Sequence, residues 1–220
     1  MSDPAVVQEL LKNHFSVKDN TWSIDSQGVV SVKGNVEAIG EMPNRKLPIK
    51  FGKVTGNFIL QAVGCLDLEG CPTEVGGDFS CSMNVIYGDT RGGSSSDLTQ
   101  LDNLTQLDSL KGGPRRVGGS WNIGMNAIPS LQHMPAEIGY NTSNCAVDLS
   151  WEKHYSVLPL VTNKVNISNY SDLGVEGAPD DLRKILFKYM NKPTAAARQS
   201  AALACAAELI RAGYREAARM

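Results

Sequence analysis

One five-residue phrase recurs along this chain and decides its fold: Val-Thr-Gly-Asn-Phe at 54–58, Val-Gly-Gly-Asp-Phe at 75–79, Val-Gly-Gly-Ser-Trp at 117–121 and a divergent copy, Ile-Gly-Tyr-Asn-Thr, at 138–142. The copies start 21, 42 and 21 residues apart, and an earlier relative, Val-Lys-Gly-Asn-Val, starts 22 residues before the first. A fixed period of this length is typical of repeat proteins, in which one unit is too small to bury its own apolar side.

The period extends beyond the phrase itself. Leucines share one phase of the repeat and prolines share another: Leu47, Leu68, Leu110 and Leu131, and Pro72, Pro114 and Pro135. A 21-residue period lies within the range of leucine-rich repeats. The sequence therefore predicts an α/β repeat protein, a short and irregular leucine-rich-repeat solenoid with β-rich coils and flanking α-helices.

Two copies of the phrase continue with the spacing LxLxxNxL. In 79–86 and 121–128 apolar residues alternate, and Asn84 or Asn126 precedes a further apolar residue. We expect each Asn to be buried and to bind backbone amides of an adjacent coil, because buried amides need partners. The glycines of the phrase are expected to be structural, since a sharp turn into a strand needs either a positive φ or the absence of a Cβ. They are Gly34, Gly56, Gly77 and Gly119.

The organisation of the chain follows from where the repeats begin and end. We expect an N-terminal capping helix at 1–16, the solenoid at 17–165 with an inserted loop near 87–97, a polar connector at 166–178 and a C-terminal helical pair at 179–220. The 42-residue spacing is explained either by a coil that lost its signature or by an insertion. Of the two C-terminal helices, the first is expected to bury Leu182, Ile185, Leu186 and Tyr189, and the second Leu203, Ala207 and Ile210.

Three stretches resemble the leucine-rich-repeat-like proteins of T-even-like tailed bacteriophages. They are 32–36, the run Lys-Leu-Pro-Ile-Lys-Phe-Gly-Lys-Val-Thr-Gly-Asn-Phe at 46–58, and Leu-Glu-Gly-Cys-Pro-Thr-Glu-Val-Gly-Gly-Asp-Phe-Ser-Cys-Ser-Met-Asn at 68–84. The resemblance covers roughly residues 22–150, and the chain departs from the pattern where Val63 and Val147 replace the expected Asn. It implies the repeat fold, a phage origin and a role against host enzymes or defence systems, but no reaction.

Composition narrows the classes of function. The net charge is -2, from 21 Lys+Arg and 23 Asp+Glu, so no overall positive charge favours nucleic acid or an anionic membrane. The first twenty residues lack the apolar core of a signal peptide, and no apolar run approaches the ~20 residues that span a bilayer. We expect a soluble protein of the host cytoplasm, without membrane contact.

The residues that usually carry chemistry form no recognisable set. The five cysteines are an odd number without CxxC spacing, which indicates reduced, buried thiols. The three histidines match no H-E-x-x-H or Cys/His metal pattern, and no G-x-S-x-G occurs. We therefore predict no catalytic residue, no cofactor and no metal, and expect the protein not to be an enzyme.

The leading hypothesis is a monomeric, non-enzymatic module that binds and inhibits a host protein, such as a defence factor or a toxin. Outward strand positions should form one continuous binding face. Those positions are Asn57, Ile59, Asp78, Ser80, Ser82, Ser120, Asn122, Asn141 and Ser143. The inserted loop offers a second surface at Tyr87, Asp89 and Arg91.

Two alternatives remain open at this stage. The first is a structural or virion-associated repeat protein that assembles with copies of itself. The second is a nucleic-acid-binding accessory protein that uses its C-terminal helices, since residues 178–220 hold eight basic and four acidic side chains. The balance of charge makes nucleic acid the less favoured partner.

Overall fold

The computed structural model describes residues 3–18, 21–86, 105–107, 109–126, 128, 130–142, 145–150 and 156–219. Within these residues the chain is an α/β structure with two mostly parallel seven-stranded sheets and a few helices. The α/β class is confirmed, and the leucine-rich-repeat solenoid stays a prediction.

The two sheets take their strands alternately from the chain. Sheet A contains, in spatial order, β1 (Phe15–Ser16), β4 (Val36–Ala38), β6 (Phe58–Ile59), β8 (Phe79–Ser80), β12 (Trp121–Asn122), β14 (Val147–Ser150) and β16 (Leu173–Glu176). Sheet B contains β15 (Lys164–Val165), β13 (Glu137–Ile138), β11 (Arg116–Val117), β7 (Glu74–Val75), β5 (Lys50–Val54), β3 (Val29–Val32) and β2 (Trp22–Ile24). Neighbouring strands are parallel except β1 with β4 and β2 with β3.

The repeated phrase spans the corner between the two sheets. Its Val ends a strand of sheet B and its aromatic residue begins the next strand of sheet A, as Val75 and Phe79 do. Val54 pairs with Val75 in sheet B, and Phe58 pairs with Phe79 in sheet A. The 21-residue period of the sequence is therefore the pairing register of both sheets.

The 42-residue spacing results from an insertion of extra residues between two neighbouring repeats. Val75 pairs directly with Val117, and Phe79 pairs directly with Trp121, so the two sheets continue without a missing rung. Two short antiparallel strands, β9 (Val85–Ile86) and β10 (Thr105–Gln106), bring the ends of the extra segment together. The predicted loop near 87–97 lies between them and outside the described residues.

Inward side chains from both sheets form one core. Phe51, Phe58, Phe79 and Trp121 are each at most 1% exposed. The rings of Phe58 and Phe79 lie 6.2 Å apart and 2° from parallel, and Phe51 meets Phe58 edge-on at 5.1 Å. Burying one such ring stabilises the fold by about 1.5–3 kcal/mol. Stacking like residues at one phase of the period thus builds the core that a single repeat lacks.

A buried asparagine links adjacent repeats, as the LxLxxNxL spacing predicts. Asn84 is 0% exposed, and its Oδ1 accepts hydrogen bonds from the amides of Val63 and Cys65, both at 3.2 Å. Its Nδ2 donates to two backbone carbonyls. The Oδ1 of Asn126 accepts from the amide of Asn84 at 3.0 Å. The prediction of buried, amide-binding asparagines is confirmed.

A second ladder of hydrogen bonds runs along the corner. The amide of Asn57 donates to Oδ1 of Asn35 at 2.9 Å, that of Asp78 to Oδ1 of Asn57 at 2.8 Å, and that of Ser120 to Oδ1 of Asp78 at 2.7 Å. A Cβ on Gly77 would lie 2.1 Å from Oδ1 of Asn57. Gly77 is therefore required by close approach between repeats, whereas Gly34, in the earliest relative of the phrase, has a positive φ of 133° and open space around it.

Helices lie at both ends of the repeats: α1 (Pro4–His14), α2 (Pro159–Thr162), α3 (Asp180–Tyr189) and α4 (Ala195–Arg211). The expected cap of α1 is present, because Oδ1 of Asp3 accepts from the amide of Ala5 at 2.9 Å. The prediction for α3 is confirmed at three buried positions, Leu182, Ile185 and Leu186, while Tyr189 is half-buried.

The predicted apolar stripe of α4 is wrong. Leu203 is 57% exposed and Ile210 48% exposed, whereas Ala202, Cys205 and Leu209 are buried. An alanine-rich helix presents apolar residues on more than one side, so the spacing alone does not choose between stripes. Packing against α2 and α3 makes the choice.

The predicted connector at 166–178 is also wrong in part. It contains β16, in which Leu173 and Val175 are at most 1% exposed and which pairs with β14. Together with β15, this strand adds a further repeat after residue 165. The pattern Leu-Gly-Val is too short to distinguish a strand from a loop by periodicity.

Candidate functional site

The outer face of sheet A consists of the side chains that point away from the core on its strands. Its central row follows the register from Glu37 through Ile59, Ser80 and Asn122 to Asp148. Adjacent strands lie about 4.8 Å apart, so neighbouring side chains of the row can contact one surface together. Of the predicted binding residues, the structure places Ile59, Ser80 and Asn122 here.

Three other predicted binding residues lie at the corner. Asn57, Asp78 and Ser120 are not outward strand positions, because their side chains accept amides of the next repeat. The alternation of inward and outward side chains along a strand does not extend back through the repeated phrase, because the backbone turns there. Their role in the structure is to hold repeats in register.

The remaining predicted residues divide in three ways. Ser82 is only 5% exposed and shares a 3.3 Å hydrogen bond with Ser80. Asn141 lies in a turn and donates from Nδ2 to the carbonyl of Gly76 at 2.7 Å. The register shifts at this repeat, because Trp121 pairs with Val147 instead of Thr142. Ser143 and the loop positions Tyr87, Asp89 and Arg91 lie outside the described residues.

Two exposed methionines border the outer face of sheet A, and sequence analysis missed both. Met83 is 40% exposed and Met125 is 55% exposed, and the amide of Met83 donates to the carbonyl of Gly124 in the turn after β12. Nε2 of Gln61 lies 3.6 Å from Sδ of Met83. The signal was present, since Met directly precedes Asn in both LxLxxNxL stretches.

The backbone at these methionines is left-handed. Met83 has φ 59° and Met125 has φ 57°, and Ala62 at the same phase has φ 55°. A left-handed conformation disfavours any residue with a Cβ by roughly 1–2 kcal/mol. Glycine or asparagine would be less strained in this turn.

Exposed aliphatic and acidic side chains complete the surface. Ile39 is 51% exposed near one end of the face, and Glu37, Asp148 and Glu176 supply carboxylates. Burial raises the pKa of Asp148, and the charge of Glu176 raises it further. The outward positions within the strands of sheet A carry no Lys or Arg: Ser16, Glu37, Ile59, Ser80, Asn122, Asp148, Ser150, Gly174 and Glu176.

The outer face of sheet B is a ladder of alternating charge, which sequence analysis also missed. Lys53, Glu74, Arg116, Glu137 and Lys164 pair in register on successive strands. Nζ of Lys53 lies 2.9 Å from Glu74, Nε of Arg116 2.7 Å from Glu137, and Nζ of Lys164 3.1 Å from Glu137. Each residue directly precedes the Val or Ile that ends its strand. The sequence therefore shows that these charged residues occupy the same position in successive repeats.

An aromatic side chain reinforces this ladder. The guanidinium of Arg116 lies 4.3 Å from the ring centroid of Tyr140, whose hydroxyl donates to Glu74 at 3.0 Å. The hydrogen bond from Lys53 lowers the pKa of Glu74, and that from Arg116 lowers the pKa of Glu137. Most charges of this face are thus satisfied within the chain.

The thiols are buried, as the sequence predicts. All five cysteines are free and buried. Burial raises the pKa of Cys65 and Cys205 to about 12 and that of Cys145 to about 11. Such thiols are protonated at neutral pH and are poor nucleophiles. Among the described residues, no group of three or more His, Cys, Asp or Glu side chains could hold a metal ion.

Several cations of the C-terminal helices are engaged within the chain. Lys184 pairs with Asp180 and Lys188 with Glu208. Nε of Arg198 donates to the carbonyl of Thr162 at 3.0 Å. The basic excess of residues 178–220 is therefore less available to an external ligand than its count indicates.

Two further findings do not concern a particular site. In the part of the chain that the structure describes, no helix has the length and hydrophobicity needed to cross a membrane. The chain matches no protein-family model, no curated protein and no solved structure.

Proposed function

We propose that this protein is a leucine-rich-repeat-like solenoid of phage origin that binds a host protein through the outer face of sheet A and inhibits it without chemistry of its own. The host protein would be a defence factor or toxin of the cytoplasm. Pairing at the sequence period and two ladders between repeats support the solenoid. The resemblance of residues 22–150 to phage proteins supports the origin.

The observation that carries the proposal is the pair of strained, exposed methionines. Met83 and Met125 occupy left-handed positions that glycine would fill with less strain, and neither side chain contributes to the core. Residues held in disfavoured conformations concentrate at functional sites. Methionine side chains are flexible and polarizable, which suits them to protein surfaces of varied shape. In this proposal both side chains contact the partner protein.

The surroundings of the methionines define the chemistry of the partner. Ile39 adds an exposed aliphatic side chain and Ile59 a half-buried one, and Ser80 and Asn122 add small polar groups between Ile59 and Asp148. Protein interfaces combine an apolar centre with a polar rim, and complementary charge increases the rate of association. The expected partner presents an apolar patch bordered by Lys or Arg.

The test uses a double substitution with a matched control. The host protein would first be captured from host extract by tagged full-length chain, identified and purified. The double variant Met83→Ser with Met125→Ser should weaken its binding at least about tenfold, because two apolar contacts are lost. Leu203→Ser removes an equally exposed apolar side chain from α4 and should change the dissociation constant less than about twofold.

Isothermal titration calorimetry of the purified host protein with each variant measures both dissociation constants. Added salt should slow association with the parent chain, since the carboxylates of the face attract a basic partner. Full affinity in the methionine variant, with loss in Leu203→Ser, would assign binding to α4 and contradict the proposal. Capture of no host protein would also count against it.

Self-assembly is the second candidate, and the exposed side of α4 favours it. Leu203 and Ile210 form an apolar stripe without a partner among the described residues. Light scattering on the purified chain separates the two functions. A monomer at micromolar concentration supports the binding module, whereas a defined oligomer abolished by Leu203→Ser supports self-assembly.

A further inference from the structure

A pocket of about 330 Å³ lies on sheet B, at the end formed by β2, β3 and β5. Two lysines, Lys33 and Lys53, line it together with four residues that carry hydroxyl groups, Thr21, Ser23, Ser31 and Thr55. Trp22 and Val32 also border it, but their side chains pack on the core side of the sheet. Its volume is at the lower end of the range for small-molecule sites. The pocket is separate from the outer face of sheet A, and the proposed function makes no use of it.

The strand pairing explains how these groups converge. Ser23 lies opposite Ser31 in the antiparallel pair of β2 and β3, and the bulge in β3 places Ser31 beside Lys53 of β5. Two residues further along the chain from Ser31 and Lys53, Lys33 and Thr55 directly follow the paired residues Val32 and Val54. Two adjacent rows of side chains therefore present hydroxyl and ammonium groups to one space.

Two hydroxyl groups of this pocket, those of Ser31 and Thr55, are positioned to donate into it, whereas the hydroxyl of Thr21 donates to the carbonyl of Lys18. Oγ1 of Thr55 accepts the amide of Gly34 at 3.0 Å, and Oγ of Ser31 accepts the amide of Lys53 at 3.4 Å. Because these oxygens already accept backbone hydrogens, their own hydrogens can point into the pocket. Donors without matching acceptors favour an anionic ligand.

The charge of the pocket also favours an anionic ligand. No carboxylate lines it among the described residues, and Lys33 forms no ion pair with any of them. Lys53 binds Glu74 at 2.9 Å, but Glu74 also accepts from Tyr140 and lies 3.9 Å from Arg116. An ammonium group has three donors, so Lys53 can bind a second anion at the same time.

We propose that this pocket binds a phosphate monoester of a small organic molecule. The phosphate lies between the ammonium groups of Lys33 and Lys53 and accepts hydrogen bonds from the hydroxyls of Ser31 and Thr55, while the organic part lies against the remaining polar side chains of the pocket. A phosphate monoester carries nearly two negative charges and three acceptor oxygens at neutral pH, which matches two cations and several donors better than a carboxylate does.

Calorimetry with ribose 5-phosphate, ribose, inorganic phosphate and acetate tests the ligand class on the full-length chain. Ribose 5-phosphate should bind, inorganic phosphate should bind more weakly, and ribose and acetate should give no measurable heat at the same concentrations. Acetate binding as tightly as ribose 5-phosphate would show a general anion site. Absence of binding by both phosphate compounds at millimolar concentration would overturn the proposal.

Matched lysine variants test the position of the site. Lys33→Gln and Lys53→Gln should each weaken ribose 5-phosphate binding about tenfold, because each removes one cation from the phosphate. Lys164→Gln removes the same charge from the other end of sheet B, where Lys164 likewise pairs with a glutamate, and should change affinity less than about twofold. Equal losses in all three variants would indicate diffuse attraction to the surface and contradict the site. Circular dichroism verifies that each variant folds.

Discussion

The outer faces of the two sheets are built on the same repeats but differ in how their side chains are satisfied. On sheet B, five charged residues alternate in sign from Lys53 to Lys164 and pair with one another across every strand. On the described strands of sheet A, the outward positions hold three carboxylates and no Lys or Arg, and Met83 and Met125 lie exposed in the turns that follow two of these strands. The charges of the sheet B ladder are paired within the chain, whereas the carboxylates described on sheet A have no such partner on their own strands.

The regular ladder of paired charges and the exposed apolar and acidic side chains thus lie on different surfaces of the same repeats. A partner that covered the ladder of sheet B would have to desolvate charges that already have partners, for little gain. Covering the outer face of sheet A removes exposed methionine and isoleucine from water, which is favourable at about 25 cal/mol per Å². The ladder therefore fixes the register, and the less regular face is available for recognition.

The largest expected effect comes from breaking the corner that joins the two faces. A Cβ on Gly118 would lie 2.0 Å from the carbonyl oxygen of Gly76, so Gly118→Ala must displace backbone. We expect the free energy of unfolding to fall by about 3 kcal/mol, with both sheets lost in one urea transition. Gly174→Ala is the control, since its Cβ would lie 3.3 Å from a side-chain oxygen of Asp148, and it should lose less than about 1 kcal/mol. Equal losses would show that the corner is not the tight point of the fold.

A smaller effect is expected from opening the ladder of sheet B. Glu137 bridges Arg116 and Lys164, and Glu137→Gln removes the charge while keeping the shape. The free energy of unfolding should fall by on the order of 1 kcal/mol at low salt, because surface ion pairs contribute at most about that much. The loss should shrink at high salt as the charges are screened.

Glu41→Gln controls for the removal of one carboxylate, since Glu41 is exposed and forms no ion pair with the described residues. Its unfolding free energy should stay within about 0.5 kcal/mol of the parent chain. A salt-independent loss in Glu137→Gln would mean that packing, and not charge pairing, distinguishes the two faces.

The smallest effect is a dependence on pH that has opposite sign on the two faces. Burial raises the pKa of Asp148 above its ordinary 3.8, so its ionised form opposes folding once the pH exceeds that value. Asp148→Asn should therefore stabilise the protein at neutral pH by a few tenths of a kcal/mol. The gain should vanish below about pH 3.8.

Glutamates of sheet B behave in the reverse way. Arg116 lowers the pKa of Glu137 below its ordinary 4.5, so the stability it contributes is present above that pH and is lost as the pH falls through the folded pKa. Urea unfolding from pH 3 to 8 measures both variants. The gain in Asp148→Asn should also be smaller in a Glu176→Gln background, and an unchanged gain would remove Glu176 from the explanation.

The sequence predicts the structure best where one residue type has one physical use. Asn84 was placed correctly because a buried amide between coils must be satisfied, and the 21-residue period predicted the register because like residues stack. It failed where two placements satisfy the same pattern. The stripe of Leu203 and the stripe of Cys205 are both apolar, and only packing against α2 and α3 decides which is buried.

The binding face shows the same limit. Asn57 and Ile59 are two residues apart and alternate correctly, yet the corner directs Asn57 to the next repeat and leaves Ile59 on the outer face. Alternation assigns a face only while the backbone remains extended, and the phrase is the place where it turns.

By itself, the sequence determined the repeat, its period and its α/β class, because these depend on local spacing that recurs many times. The tertiary structure alone decided that each phrase is a corner between two sheets, that residues after 165 add another strand, and that charge pairs on one outer face but not on the other. Those features depend on which side chains meet across repeats, where a contact joins residues 21 or more positions apart. The distance between two such residues depends on how all the repeats stack, so it cannot be read from any single stretch of sequence.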